Sequence, residues 1–319
     1  MSRLSRRLVV TLDAEAQPER SDRTPLDHLI HGKTGSGEWG LWRILDIAER
    51  HGVQITVFLD YAERDLWGEG VLDAGREVLR RGHDLQLHLH PEFLAPSRFE
   101  AVGAAPVGPV ADMSPLQARV AVEAVFEAHD EAGGGGLAAF RGGGYHVNDV
   151  LLSALRAAGV TADSSYLPAR HHGAAKGLSA RDDRPFLWRN GVTELPIGTV
   201  PGFRNLDYPK AYNFNATFLM REGAKGRDAA DAAARHAEYA ESFWTQAGKE
   251  APLVLVMHSW SLLQRGEDGR FGDGSALAAE TLDLVLGAAS KGGGTATIAE
   301  VARGLENAAL PIATLEGTT

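Results

Sequence analysis

Two histidines, His88 and His90, lie two residues apart near the end of a predicted strand in the segment 82–91. Alternate residues of a β-strand project to the same side, so the two imidazoles would point together. Pro91 follows directly and would end the strand there. Neutral imidazoles bind zinc, iron, cobalt or nickel, and zinc is the first choice here. The spacing predicts a divalent-metal site, and two ordinary surface histidines are the competing interpretation.

Two acids, Asp13 and Glu15, follow the first apolar segment with the same spacing. Because parallel α/β sheets gather their ligands at the carboxyl ends of the strands, we expect these acids at the same edge as His88. One carboxylate could complete a two-histidine, one-carboxylate metal set and leave the other as a general base. A solvated acidic loop is the alternative, and the histidine pair favours the site.

Two further strand ends carry groups that could take part in chemistry. The segment 140–145 contains Arg141 followed by three glycines, which would place the backbone close to a neighbour or form a tight turn. A buried arginine can hold a carboxylate ionised through a two-pronged pair of hydrogen bonds. Near the C-terminus, His258 ends an apolar strand, where a proton donor opposite the metal would be needed. His83 faces the other side of its strand and is predicted to be structural.

Short β-branched segments alternate with helical patterns, which indicates an α/β fold with a mostly parallel sheet. Strands are predicted over Arg7–Leu12, Val53–Leu59, His83–Leu89, Leu137–Arg141, Val160–Ser164, Leu253–His258 and Thr295–Ile298. Helices are predicted over Trp39–His51, Gly70–Arg81, Ser114 to about Ala132, Asn148–Ala158, Asp228–Ala247 and Ser275–Ala289. Residues 94–113 are predicted to form a surface loop. The segment 167–227 is loop-rich, with strand candidates at Val192–Ile197 and Tyr212–Thr217.

Composition limits the classes of function. The 319 residues contain no cysteine, so any metal ligands must be His, Asp or Glu. A formal net charge of −10 argues against a nucleic-acid partner. The apolar segment after the basic N-terminus, Leu8–Leu12, is shorter than the roughly 7–15 residues of a signal core, and no segment reaches the ~20 residues of a membrane span. We therefore expect one cytoplasmic domain over residues 1–319.

The order of these segments resembles that of the polysaccharide deacetylases, carbohydrate esterase family 4. The resemblance covers roughly residues 6–305. Individually weak but correctly ordered, the segments that carry it are Thr11–Glu15, Ile55–Phe58, Gly82–Asp84 with His88, Phe140–Tyr145, Asp163–Ser165, Val256–His258 and Ala296–Glu300. The family fold implied is a distorted (β/α) barrel of seven or eight mostly parallel strands.

Two departures from the family pattern leave alternatives open. The family's first motif has adjacent acids, whereas Ala14 separates Asp13 from Glu15 here. Asp13 as base with Glu15 as ligand is our assignment, and the reverse stays open. The family's second motif spaces its histidines by four, and Glu92 occupies that position. His90 either replaces the second histidine ligand, or Glu92 joins the set.

The resemblance implies metal-assisted removal of an N-acetyl or O-acetyl group from a sugar. Asp13 would act as base, Arg141 would hold it, and His258 would protonate the leaving group. A backbone N–H near Tyr145 would stabilise the oxyanion, Asp163 would orient His258 or shape the pocket, and Trp260 would stack on a sugar. A cytoplasmic location favours a surface-glycan precursor as substrate. The alternatives are a non-sugar amide or cyclic ureide substrate, and an inactive glycan-binding domain.

Overall fold

The computed structural model describes residues 6–108, 110–168, 184–201, 211–213, 228–292 and 294–313. Its strands are β1 Leu8–Ala14, β2 Lys33–Thr34, β3 Gly37–Glu38, β4 Thr56–Asp60, β5 Asp84–Leu89, β6 Ala139–Gly142, β7 Ala162–Asp163, β8 Phe186–Trp188, β9 Thr193–Glu194, β10 Thr199–Pro201, β11 Ala211–Asn213, β12 Leu253–His258, β13 Leu263–Arg265, β14 Phe271–Gly274, β15 Thr295–Ala296 and β16 Ile312–Ala313. Its helices are α1 Leu41–Arg50, α2 Arg64–Trp67, α3 Glu69–Arg80, α4 Pro96–Glu100, α5 Pro115–Glu131, α6 Asp149–Ala157, α7 Ala229–Ala247, α8 Ala276–Gly292 and α9 Ile298–Leu305.

The chain divides into two compact units. The first comprises Met1–Val57 with Phe214–Thr297, and the second comprises Phe58–Asn213 with Ile298–Thr319. The division falls within β4, so each unit holds part of that strand. The prediction of a single domain stays a prediction.

The first unit is built around β1, all seven residues of which are buried. β1 pairs in parallel with β12 over six residues, from Leu8 opposite Leu253 to Asp13 opposite His258. It also pairs in parallel with β15. Because helices cover both faces of a parallel sheet in α/β proteins, its strands have nearly continuous apolar sequences, and before Asp13 only Thr11 interrupts the apolar residues of β1. The pairing therefore brings the last residues of β1 and β12 to one edge.

The second unit contains the strand series β5, β6, β7 and β9, paired in parallel, with β8 antiparallel to β9 and β16 parallel to β8. His88 is opposite Arg141 in the β5–β6 register, and Phe140 is opposite Asp163 in the β6–β7 register. Most of these strands are only two to four residues long, so each positions one or two side chains at its carboxyl end. The mostly parallel α/β architecture predicted from the sequence is confirmed.

Local sequence signals set the helix boundaries closely. Ser114 caps α5 in a reciprocal capping box with Gln117, and Pro115 occupies the first helical position. The Asn148 side chain accepts from Leu151 N at 2.7 Å and begins α6. The helix predicted over Gly70–Arg81 is α3, displaced by one residue. Among the described residues, no helix is both long enough and apolar enough to cross a bilayer.

Two short helical segments interrupt the surface loop predicted over 94–113. Pro96 begins the one-turn helix α4, and a 3₁₀ turn covers Val110–Asp112. Phe99 is fully buried, and it therefore fastens α4 to the protein. The abundance of Pro, Gly and Ala in the sequence made the buried apolar residues of this segment hard to recognise; they are Leu94, Phe99, Val110 and Met113. The candidate strand Val192–Ile197 shortens to β9, and the candidate Tyr212–Thr217 lies outside the described residues from 214 onward.

Candidate active site

In the first unit, His258 faces two buried acids. Asp13 and Glu15 are 1% and 3% exposed. His258 Nε2 lies 3.4 Å from Glu15 Oε1 and 3.9 Å from Asp13 Oδ2. The spacing of two residues along the end of β1 thus presents both carboxylates to one imidazole. An imidazole next to carboxylates can accept and donate a proton, as general acid–base catalysis requires.

Neighbouring polar groups fix the position of Glu15. Gln17 Nε2 donates to Glu15 Oε2 at 2.6 Å. Ser259 Oγ donates to the Glu15 carbonyl oxygen at 3.3 Å, and Ser259 N donates to the Asp13 carbonyl oxygen at 3.0 Å. The chain after β12 is therefore bonded to the chain after β1. Gln17 was not singled out from the sequence, where an isolated glutamine carries no signal.

Trp260 is not available to stack on a sugar, which corrects the expectation from the sequence. It is only 2% exposed. Its indole stacks on the His258 ring, with centroids 4.9 Å apart and planes 17° apart, and it contacts Phe271 at 5.5 Å. The Arg20 guanidinium lies 5.3 Å from the same indole. Because its surroundings are filled, Trp260 supports the imidazole of His258.

In the second unit, hydrogen bonds set the tautomers of both histidines. His88 Nδ1 lies 2.9 Å from the Arg141 carbonyl oxygen, which can only accept, so Nδ1 carries the proton. His90 Nδ1 lies 2.9 Å from Glu92 Oε1, which fixes it in the same way. The ring centroids are 5.2 Å apart. In each ring the lone pair is thus on Nε2, the form in which a metal-binding histidine is held by its surroundings.

Glu92 serves His90 in this arrangement. Burial favours a raised pKa for Glu92, but the hydrogen bond that it accepts from His90 acts in the opposite direction, and the pKa is lowered. The main-chain N–H of His90 also donates to Asp60 Oδ1 at 3.3 Å. The sequence left open whether His90 replaces the second histidine ligand or Glu92 joins the set. The hydrogen bond between His90 Nδ1 and Glu92 Oε1 puts Glu92 in a position to orient His90.

The glycine run allows close packing around His90. A Cβ at Gly143 would lie 2.6 Å from the His90 ring, and one at Gly142 would lie 2.0 Å from the His146 carbonyl oxygen. Gly144 has a φ of +58°. Both interpretations of the run, close approach and a tight turn, are therefore correct.

Replacing Gly143 with alanine should displace the His90 ring. Overpacking of this kind costs about 1–3 kcal/mol, and a disturbed ligand shell typically lowers metal affinity about 10–100-fold. Isothermal titration with zinc would measure the change. Gly135→Ala is the matched control, because its Cβ meets nothing within 4 Å. Equal affinities in the two variants would contradict the role given to Gly143.

Arg141 is fully buried, with its guanidinium 4.3 Å from the Phe58 ring centroid. Its Nε donates to the Ser164 carbonyl oxygen at 2.9 Å, and Nη2 donates to Ser164 Oγ at 3.0 Å. A guanidinium keeps its charge even when buried, so its bonds to Ser164 hold a fixed positive charge at the end of β6. Whether Arg141 holds Asp13, as the resemblance implies, stays a prediction.

Tyr145 ends the glycine turn in a strained conformation. Its φ is +65°, which is unusual for an aromatic residue, and its side chain is half-buried. Such strain is found most often at functional positions. The predicted oxyanion-binding role of the backbone here stays a prediction.

Asp163, predicted to orient His258 or to shape the pocket, has its described contacts within the second unit. It is fully buried and accepts from Ser165 Oγ at 2.6 Å. Its neighbour across β9 is Glu194, also fully buried, which the sequence did not single out. An acid inside a short apolar segment was the available signal.

The structure thus brings Asp13, Glu15, His258 and Trp260 together in the first unit. His88, His90 and Glu92 lie together in the second unit. Arg141 and Asp163 lie on the next two strands of that unit, β6 and β7. Comparison of the fold with solved structures gives a clear answer. A crystal structure of a proposed polysaccharide deacetylase from Mycobacterium smegmatis superposes with a TM-score of 0.58 at 15% identity, covering 99% of this chain and 95% of that one. The chain has the polysaccharide deacetylase fold.

Two other structures with this fold match less closely. A family 4 carbohydrate esterase pseudoenzyme from Bacillus anthracis gives a TM-score of 0.48 at 11% identity, over 94% of this chain and 66% of that one. A family 4 carbohydrate esterase from Streptomyces lividans, in complex with acetate, gives 0.44 at 11% identity over 91% of each chain. No family model matches the sequence, and no curated protein matches it. The polysaccharide deacetylase fold is therefore recognised from the structure, where the sequence comparisons find nothing.

Proposed function

We propose that the protein is a metal-dependent hydrolase that removes an acetyl group from an N-acetylated or O-acetylated sugar or surface-glycan precursor. The observation that carries the proposal is the pair His88 and His90, both buried and both held with Nδ1 protonated. The fold is compatible with this activity, and the acids facing His258 supply the acid–base groups that it needs.

The imidazole nitrogens of His88 and His90, both buried, are donors that suit a divalent metal. In this proposal Glu15, also buried, supplies a carboxylate oxygen as the third ligand. Zinc is our first choice, and iron, cobalt and nickel accept the same donors. When bound, the metal supplies polarisation of the acetyl carbonyl and a lowered pKa for water.

The chain's own residues would then move the protons. Asp13 takes a proton from the attacking water, and the acetyl carbonyl carbon gains the oxygen. As the bond from that carbon to the sugar nitrogen or oxygen breaks, His258 delivers a proton to the leaving atom. Trp260 keeps the His258 ring in its plane through the stacked contact. General acid and base groups of this kind each contribute about 10²–10⁴-fold to the rate.

A chelation experiment tests the proposal. The purified protein is analysed for bound metal and assayed for acetate release from acetylated sugars, including nucleotide-linked ones, before and after chelator and after metal is restored. We expect release that is lost with the metal and regained with it. If no metal co-purifies and none can be added back, the proposal is wrong. Metal binding with turnover of only non-sugar amides or cyclic ureides would change the substrate class, and sugar binding without turnover would indicate an inactive domain.

A further inference from the structure

Two fully buried acids face each other in the second unit. Asp163 ends β7 and Glu194 ends β9, and the two are direct partners in the parallel register. Both are 0% exposed. Two ionised carboxylates in such a place would repel each other and lack the solvation that charge requires.

The hydrogen bonds around the pair leave room for one proton. Glu194 Oε1 accepts from Tyr166 N at 3.0 Å, and Oε2 accepts from Trp188 Nε1 at 2.9 Å. Asp163 Oδ1 accepts from Ser165 Oγ at 2.6 Å. Among the described residues, no hydrogen bond reaches Asp163 Oδ2 when both acids are ionised. A proton between Oδ2 and Glu194 supplies the missing donor.

The surrounding charges favour protonation of one acid only. Burial raises the pKa of Asp163, although the hydrogen bond from Glu194 and the charge of Arg141 act against the rise. Burial also raises the pKa of Glu194, and the charge of Asp163 raises it further, to well above its usual value. Arg141 therefore favours an ionised Asp163, while Glu194 keeps the proton.

Two hydrogen bonds of Ser165 connect this pair with the glycine turn, Gly142–Gly144. Ser165 Oγ donates to Asp163 and accepts from Gly142 N at 2.9 Å. Gly142 precedes Gly143, whose backbone lies against the His90 ring. A hydroxyl has one proton and two lone pairs, so the bond from Ser165 Oγ to Asp163 orients the hydroxyl with a lone pair toward Gly142 N.

We propose that Asp163 and Glu194 share one proton, and that the pair is a positioning element which fixes, through Ser165, the glycine turn beside His90. The shared proton does not depend on the proposed function. Only the consequence for a metal at His90 rests on it.

Asp163→Asn tests the shared proton, because an amide at this position donates permanently to Glu194 and still accepts from Ser165. A raised pKa in the folded state means that stability is fully present below the unfolded value of 4.5 and falls as pH rises toward the folded value. Denaturant unfolding between about pH 5 and pH 8 should therefore show the wild-type folding constant falling, relative to Asp163→Asn, by up to about tenfold per pH unit. Parallel curves would overturn the proposal.

A second measurement needs no variant. The infrared spectrum of the wild-type protein at neutral pH should contain the carbonyl stretch of a protonated carboxyl group. Its absence would overturn the shared proton even if Asp163→Asn failed to fold.

Hydrogen exchange tests the positioning role without any metal. In Asp163→Ala the Ser165 hydroxyl loses its acceptor, and the amide proton of Gly142 should exchange about tenfold faster, as expected for the loss of one hydrogen bond. Asp163→Asn should restore slow exchange, which general destabilisation would not. Wild-type exchange in Asp163→Ala would refute this connection through Ser165, while the chelation experiment separately decides the proposed function.

Discussion

Replacing His88 with alanine is expected to lower the affinity for zinc by at least about 100-fold, the upper end of what disturbing even a supporting partner costs. The imidazole is 2% exposed and held through Nδ1 by the Arg141 carbonyl oxygen. The variant lacks the imidazole nitrogen that this hydrogen bond orients. Equilibrium dialysis followed by elemental analysis would measure the loss.

His90→Ala should have a comparable effect, because His90 is held equally by Glu92. His51→Ala is the control. His51 lies at the end of α1, its ring forms a hydrogen bond with Asp283, and it takes no part in the site. If either variant at His88 or His90 keeps the full metal content of this control, that histidine is not a ligand. Full retention in both would remove the main support for the proposed function.

The strand ends were predictable because two sequence patterns coincide there: an apolar segment and polar residues at its end. Mainly apolar segments identified β1 and β12 as buried strands, with two acids spaced by two residues at the end of β1 and His258 at the end of β12. Spacing alone placed Asp13 and Glu15 on one side, and the structure shows both facing His258. The same rule chose His90 over the family's spacing, and the contact between the His88 and His90 rings agrees with it.

Supporting residues were not predictable because their contacts lie far apart in the sequence. Glu194 on β9 pairs with Asp163 on β7, although the two residues are 31 positions apart in the sequence. A lone acid in a two-residue strand gives no periodic signal. Trp260 illustrates the opposite error. An aromatic residue beside a catalytic histidine suggests a sugar platform, yet the packing of Phe271 and Arg20 around it is a tertiary fact.

The two acids of the first unit should separate cleanly when each is made an amide. Asp13→Asn keeps the shape of the side chain but cannot take a proton, so acetate release should fall by about 10²–10⁴-fold while the metal stays bound. Glu15→Gln removes the charge of the proposed ligand and should instead lower the metal content. Acetate release and elemental analysis on the same samples measure both effects.

This pair of variants decides between the two assignments left open by the sequence. Glu15 lies closer to His258 than Asp13 does, and Glu15 also accepts a hydrogen bond from Gln17. Gln17→Ala is the matched control, because it removes that bond while leaving both acids. It should cost metal affinity only modestly, about tenfold, as expected for a supporting residue. Loss of metal in Asp13→Asn with retention in Glu15→Gln would reverse the roles, so that Glu15 becomes the base and Asp13 the ligand.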